Sequence, residues 1–216
     1  MRSYFILLLG FLLFNLHASA QIFVDQDATG LGDGSSWLNA YTDLAMAIDS
    51  ASANAEIWIA EGTYLPGDTN TATFSITQDL QLYGGFDGTE ILRSERDPVL
   101  HPTILSGDIV RDDVDGDLVS NRSDNTKHVL TVGPLISQAT IIAGLTILGG
   151  QADSPTNPFG GGVNCQGSPI FRNCVFTNNF ATENGGAINI NGSSAANIRF
   201  ESCQFLKNQA GARGGA

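Results

Sequence analysis

A repeat that begins near Ile142 constrains this chain more than any other feature. Three segments align at a step of 29 residues: Ile142-Ala-Gly-Leu145-Thr-Ile147, Phe171-Arg-Asn-Cys174-Val-Phe176 and Phe200-Glu-Ser-Cys203-Gln-Phe205. Smaller positions keep the same step: Gly150 with Asn179 and Asn208, then Ala152 with Ala181 and Ala210. A second box recurs between them as Gly160-Gly-Gly-Val163, Gly185-Gly-Ala-Ile188 and Gly214-Gly-Ala216. A fixed period of this size marks a solenoid or array, in which each unit buries its apolar face only against its neighbours. Inside each unit apolar residues alternate with polar ones, Asn and Gly sit at the turns, and no helical stripe runs through. The expected fold is therefore all-β, with each repeat one coil of a parallel β-helix. Three short strands per coil are expected, as at Ile188–Ile190, 198–200 and 203–205. Stacking would put Leu145, Cys174 and Cys203 in one interior column. It would also put Asn179 and Asn208 in a ladder of amide hydrogen bonds, with Asn taking the left-handed turn conformation.

The first twenty residues read as a secretory signal. Arg2 opens it, Phe5 to Leu16 is apolar, and Ala18-Ser-Ala20 is a small-residue cleavage site. No later segment is apolar for the ~18 residues a membrane span needs, so a chain cut before Gln21 has no transmembrane segment. Over the full sequence, 22 Asp and Glu outweigh 10 Lys and Arg. That balance excludes nucleic acid, whose phosphates need a basic stripe. It also disfavours bare polyanions unless calcium bridges the like charges.

Upstream of the repeat, strands are expected at 22–24, 57–60, 73–76, 80–83, 103–105 and 128–132, with a tight turn over 84–88. Ser35 or Ser36 can cap a helix over 37–53, in which Leu44, Ile48 and Ala51 form one apolar face. An amphipathic helix just before the first strands suits the open end of a β-helix, which needs a cover. The expected organisation is a signal over 1–20, a cap with irregular first coils over 21–141, and regular repeats over 142–216. Ala216 aligns just ahead of the strand led by Ile188, so a covalent continuation into further coils is expected.

The acidic stretch 108–124 is the strongest candidate for a chemical site. Asp113, Asp115, Asp117, Asn121 and Asp124 fall at loop positions 1, 3, 5, 9 and 12, a spacing that can wrap Ca2+. It resembles dockerin-like and EF-hand-like calcium loops, with Leu118 where such loops carry Gly and Asp rather than Glu at the last position. No catalytic set emerges. Arg172 and Arg199 alternate with buried-type Phe171 and Phe200, which turns them toward solvent. Glu183 and Glu201 occupy different repeat positions, and His101 and His128 read as structural. Trp37, Trp58 and Tyr64 read as packing residues. The three cysteines are small core hydrophobes in one reading. In the other, stacked Cys174 and Cys203 form a bridge.

Two motifs carry a resemblance. Phe176-Thr-Asn-Asn179 and Phe205-Leu-Lys-Asn208 fit FxxN, and Gly185-Gly-Ala-Ile188 fits GGA[ILV]. Over 160–216 they resemble the repeats of polymorphic outer-membrane proteins, which are autotransporter-like adhesins; Gly160-Gly-Gly-Val163 departs from the pattern at its third position. The stretches Asp33-Gly-Ser-Ser-Trp37, Ile57-Trp-Ile-Ala-Glu-Gly-Thr-Tyr64, Tyr83-Gly-Gly-Phe-Asp-Gly-Thr-Glu90 and Ile104-Leu-Ser-Gly-Asp108 are similar to exported bacterial proteins of the pectin-lyase-like superfamily. The resemblance implies a right-handed parallel β-helix that is secreted or held at the cell outer membrane. It implies an adhesive or ligand-binding role toward a glycan or protein surface, without chemistry in these residues. The alternative is a polysaccharide lyase or glycoside hydrolase whose groove lies on later coils.

Overall fold

The computed structural model describes residues 21–192 and 197–215. The expected signal over 1–20, and Ala216 of the third glycine box, lie outside the described residues. β1 (Gln21–Val24) opens the first sheet. β2 (Glu56–Ala60), β3 (Gly62–Tyr64) and β4 (Phe74–Ile76) then each join a different sheet. β5 (Gln81–Phe86), β6 (Thr103–Ser106) and β7 (Leu130–Val132) repeat the order. The next circuit is β8 (Ile141–Ala143), β9 (Leu145–Leu148), β10 (Gln151–Ala152) and β11 (Val163–Cys165). It is followed by β12 (Ile170–Arg172), β13 (Val175–Thr177), β14 (Phe180–Ala181) and β15 (Ile188–Ile190). β16 (Arg199–Glu201), β17 (Gln204–Leu206) and β18 (Gln209–Ala210) complete the described strands.

These strands form parallel sheets of six, five, four and three members. The first sheet runs β1-β2-β5-β8-β12-β16 and the second β3-β6-β9-β13-β17; the third runs β4-β7-β11-β15 and the fourth β10-β14-β18. Each return of the chain to a sheet lays a strand beside its predecessor. The molecule is therefore predominantly β, in stacked parallel sheets compatible with a β-helix. No helix among the described residues is long and apolar enough to cross a membrane.

The 29-residue step is the stacking unit. Ile142 pairs with Phe171 and Phe171 with Phe200; Ile147 pairs with Phe176 and Phe176 with Phe205. Phe171 stacks on Phe200 at 5.5 Å between ring centroids, and Phe176 on Phe205 at 4.8 Å. Leu145 and Cys174 are buried in the same apolar core, and half-buried Cys203 packs against it. Burying each of Ile142, Ile147, Phe171 and Phe176 contributes roughly 1.5–3 kcal/mol, whereas Phe200 remains 36% exposed.

The Asn ladder forms, with a different division of labour from the one expected. Asn179 Oδ1 accepts from Gly150 N at 3.0 Å, and its Nδ2 donates to Ile147 O and to Asn208 Oδ1, both at 3.0 Å. Asn208 repeats the step, donating to Phe176 O at 2.8 Å and accepting from Asn179 N at 3.1 Å. The left-handed residue is the one before: Gly149 (φ 80°), Asn178 (φ 53°) and Lys207 (φ 52°). That residue turns the corner, which leaves the next side chain free to reach inward. The chain then runs extended for two residues, and this gives β10, β14 and β18, a fourth strand per circuit where three were expected.

The helix is shorter than expected. α1 spans Leu44–Ser50, capped by Asp43, whose Oδ1 accepts from Ala45 N at 2.7 Å and Met46 N at 3.2 Å. Residues 37–42 are taken by tertiary contacts instead. Trp37 packs 4.8 Å from Phe23 and donates its indole N–H to Glu90 O at 2.9 Å, while Tyr41 exchanges backbone hydrogen bonds with Phe23 and Asp25. Leu44, Ala47 and Ile48 are buried in the main core, against the ends of the first and third sheets. Trp58 and Tyr83, on the outer face of the first sheet, belong to a second cluster with Phe86, roofed by Trp37. The expected turn over 84–88 begins later, because β5 continues to Phe86. Gly85 (φ 99°) makes this possible as the extra residue of a bulge opposite Ile59 and Ala60.

His128 is buried just before β7. Its Nδ1 donates to Gly160 O at 2.9 Å, and its Nε2 accepts from Asn157 Nδ2 at 2.7 Å. These partners suit the neutral ring, and burial holds its pKa below the usual histidine value. A lowered folded pKa means that the unfolded chain takes up the proton first. Stability is therefore full above about pH 6.5 and is lost as pH falls toward the folded value. The melting temperature of the unaltered chain should fall between pH 7 and pH 5, and His128→Gln should flatten that slope. Equal slopes in the two proteins would show that His128 does not titrate in this window.

Candidate functional site

Between β6 and β7 the chain leaves the stack for the acidic stretch. Asp108 turns it back: its Oδ1 accepts from Arg111 N at 2.7 Å and Asp112 N at 3.2 Å, and its Oδ2 from Asp113 N at 3.1 Å. Asp124 closes the loop by accepting from Val110 N at 3.1 Å. The far end crosses to later circuits. Asp115 receives Lys207 Nζ at 2.6 Å and Asn178 Nδ2 at 2.9 Å, while Gly116 N donates to Asn178 Oδ1 at 3.2 Å. A sequence-distant acidic loop is thereby strapped over the corners between the second and fourth sheets.

Arg122 is the hub of this loop, with its side chain only 2% exposed. Its Nη1 donates to Asp113 Oδ2 and its Nε to Gln151 Oε1, both at 2.8 Å; Nη2 donates to Gly150 O and Asn178 O, both at 3.1 Å. Burial pushes the Asp113 carboxyl up, opposed by Asn125 and by the Arg122 charge. Burial also pushes Arg122 down, opposed by Asp113 and the neighbouring aspartates. A cavity of about 350 Å³ opens beside the pair, lined by Asp108, Asp113, Asp115, Arg122, Thr177 and Asn178 among others.

The five residues expected to wrap calcium take separate positions. Asp113 pairs with Arg122 and Asn125, and Asp115 with Lys207 and Asn178. Asp117 accepts from Val119 N at 2.8 Å and Ser120 N at 3.1 Å, and Asn121 donates to Asp112 O at 2.9 Å. Hydrogen bonds from Lys207 and Asn178 hold Asp115 below the usual carboxylate range, and backbone N–H groups of Ser120 and Val119 do the same for Asp117. The carboxylates that converge among the described residues are Asp108, Asp112 and Asp124, with one oxygen from each lying within 4.8 Å of the others. Such a set can hold a hard divalent cation. Spacing by alternate residues missed Asp108 and Asp112 because the loop is organised by side-chain-to-backbone turns. Three buried oxygens nearby in sequence, Asp113 Oδ1, Asn125 Oδ1 and Thr126 Oγ1, have no hydrogen-bond partner among the described residues.

Elsewhere, Arg172 pairs with Glu201 at 2.7 Å, and His101 meets Glu61 at 3.0 Å. The outer face of the third sheet carries a polar column in register: Ser75, Thr131, Asn164 and Asn189. Thr131 Oγ1 donates to Ser75 Oγ at 3.5 Å, and Asn189 Nδ2 to Asn164 Oδ1 at 3.5 Å. The outer face of the second sheet aligns Thr63, Ile104, Thr146, Val175 and Gln204. No known protein family, curated protein or solved structure matches this chain.

Proposed function

We propose that this chain is a right-handed parallel β-helix, capped by α1, exported to the cell surface, and binding a glycan or protein surface through its stacked faces rather than by chemistry of its own. Right-handed return of the chain to a parallel neighbour is the near-universal choice for L-residues. The FxxN motif runs from β13 into the corner at Asn178, and the GGA motif leads from the turn at Gly185 into β15, a recurring placement that supports reading them as repeats of the outer-membrane adhesin kind. The observation that carries the binding reading is the register of the outward columns. Ser75 and Thr131 lie one strand step of about 4.8 Å apart, and Asn189 lies two steps beyond Thr131, past the buried Asn164, so hydroxyl and amide groups line one column. The acidic balance directs such a face toward neutral rather than anionic glycans.

The test is retention of the purified chain on immobilised neutral and anionic polysaccharides, with and without calcium, alongside an assay for chain cleavage. Binding without depolymerisation is expected, with at least a tenfold loss on Thr131→Arg combined with Asn189→Arg. Turnover of any polysaccharide would replace this reading with the lyase or hydrolase alternative. Undiminished binding by the double variant would remove the third-sheet face from it.

A further inference from the structure

Cys174 and Cys203 hold the same position on adjacent circuits, one residue ahead of β13 and β17, whose register pairs Val175 with Gln204. Parallel neighbours lie about 4.8 Å apart, inside the Cα range of a disulfide. Each follows a left-handed residue, Asn173 (φ 51°) and Ser202 (φ 53°), so both backbones turn the same corner. Gln204 N donates to Cys174 O at 2.9 Å, so the two cysteines meet across one step of the ladder, and Cys203 Sγ donates to Glu201 O at 3.6 Å. They are not equivalent. Cys174 is fully buried, with Sγ donating to Ile142 O at 3.3 Å, whereas Cys203 is half-buried. The neighbouring Cys174 brings the Cys203 thiol down to about 7, while burial pushes Cys174 well up. A partly exposed thiol of that acidity, with a second thiol in reach, is the arrangement that thiol–disulfide exchange uses. Cys165 lies apart on β11, buried and pushed up to about 11.

We propose that Cys174 and Cys203 are the site of a reversible redox staple between two neighbouring circuits, formed by exchange with a small-molecule disulfide. The Cys203 thiolate attacks one sulfur of the reagent, breaks its S–S bond and releases one thiolate, leaving a mixed disulfide on Cys203. Cys174 gives up its proton and attacks the Cys203 sulfur, releasing the second reagent thiol. Two protein thiols are oxidised, one reagent disulfide is reduced, and the two protein protons end on the two reagent thiols. In-register parallel strands hold Cβ atoms at about the strand spacing, slightly beyond the ~3.5–4.5 Å of a relaxed bridge, which places the staple among the readily reduced kind.

The experiment incubates the purified chain with oxidised glutathione, denatures it, and counts thiols by alkylation and intact mass. The three free thiols of the reduced chain should fall to one, with the tryptic peptides 173–199 and 200–207 joined. Native dithiothreitol should restore all three. Cys165→Ser should leave the bridge intact, and Cys174→Ser should stop the reaction with glutathione on Cys203. Should Cys174→Ser fail to fold, Cys203→Ser tests the same step, because both remaining thiols should then stay reduced. Three alkylated thiols after oxidation, glutathione persisting on Cys203 of the unaltered chain, or a bridge that includes Cys165 would each overturn the proposal.

Discussion

Asn179→Ala should destabilise the protein by about 3–5 kcal/mol, a large part of the ~5–15 kcal/mol that holds a domain together. Asn179 is fully buried and bonds three groups from two other circuits: Gly150 N, Ile147 O and Asn208 Oδ1. Truncation leaves a buried donor and a buried acceptor without partners, at roughly 1–3 kcal/mol each, and opens a void. Asn208→Ala should cost less, because Asn208 is only half-buried. Urea unfolding followed by circular dichroism gives both numbers. Equal and small losses would mean that the ladder does not bear on stability.

The second large effect belongs to Arg122. Arg122→Ala should cost about 3–5 kcal/mol, because it strands the Asp113 carboxylate in a buried site. It also removes three hydrogen bonds that tie the acidic loop to Gly150, Gln151 and Asn178. Replacing both partners, Arg122→Met with Asp113→Leu, should cost less than Arg122→Ala alone, since no charge is then left unpaired. The same unfolding measurement decides it. A double variant less stable than the single one would show that the pair is worth more than its burial costs.

Much of this architecture was legible because the repeat is long and in phase. Once Phe171 aligned with Phe200, and Asn179 with Asn208, the parallel register followed from period alone. What escaped was set by contacts between distant residues. Trp37 reads as the start of a helix, but it is drawn into the aromatic cluster with Phe23 and Phe86. Gly84 and Gly85 read as a turn, yet they lie in β5, one of them as a bulge. At the acidic loop the sequence showed that carboxylates gather, but not which ones meet. Side-chain spacing assumes a regularly curling loop, whereas Asp108 and Asp117 spend their oxygens on nearby backbone N–H groups. Arg122 left a weak signal, as a cation within an acid-rich run. Its burial depends on Gly150 and Asn178, which no local pattern reveals.

The bond from Asp115 to Lys207 joins residues 92 positions apart, and its bond to Asn178 spans 63. A linear array whose units touch only adjacent ones frays rung by rung from its ends. Here a clasp skips over intermediate rungs, so the corners at Asn178 and Lys207 resist parting from the stack while the loop stays shut. The expected signature is amide exchange near Asn178 and Lys207 that speeds up when Asp115 is changed to Ala, as loss of the clasp returns these corners to graded fraying.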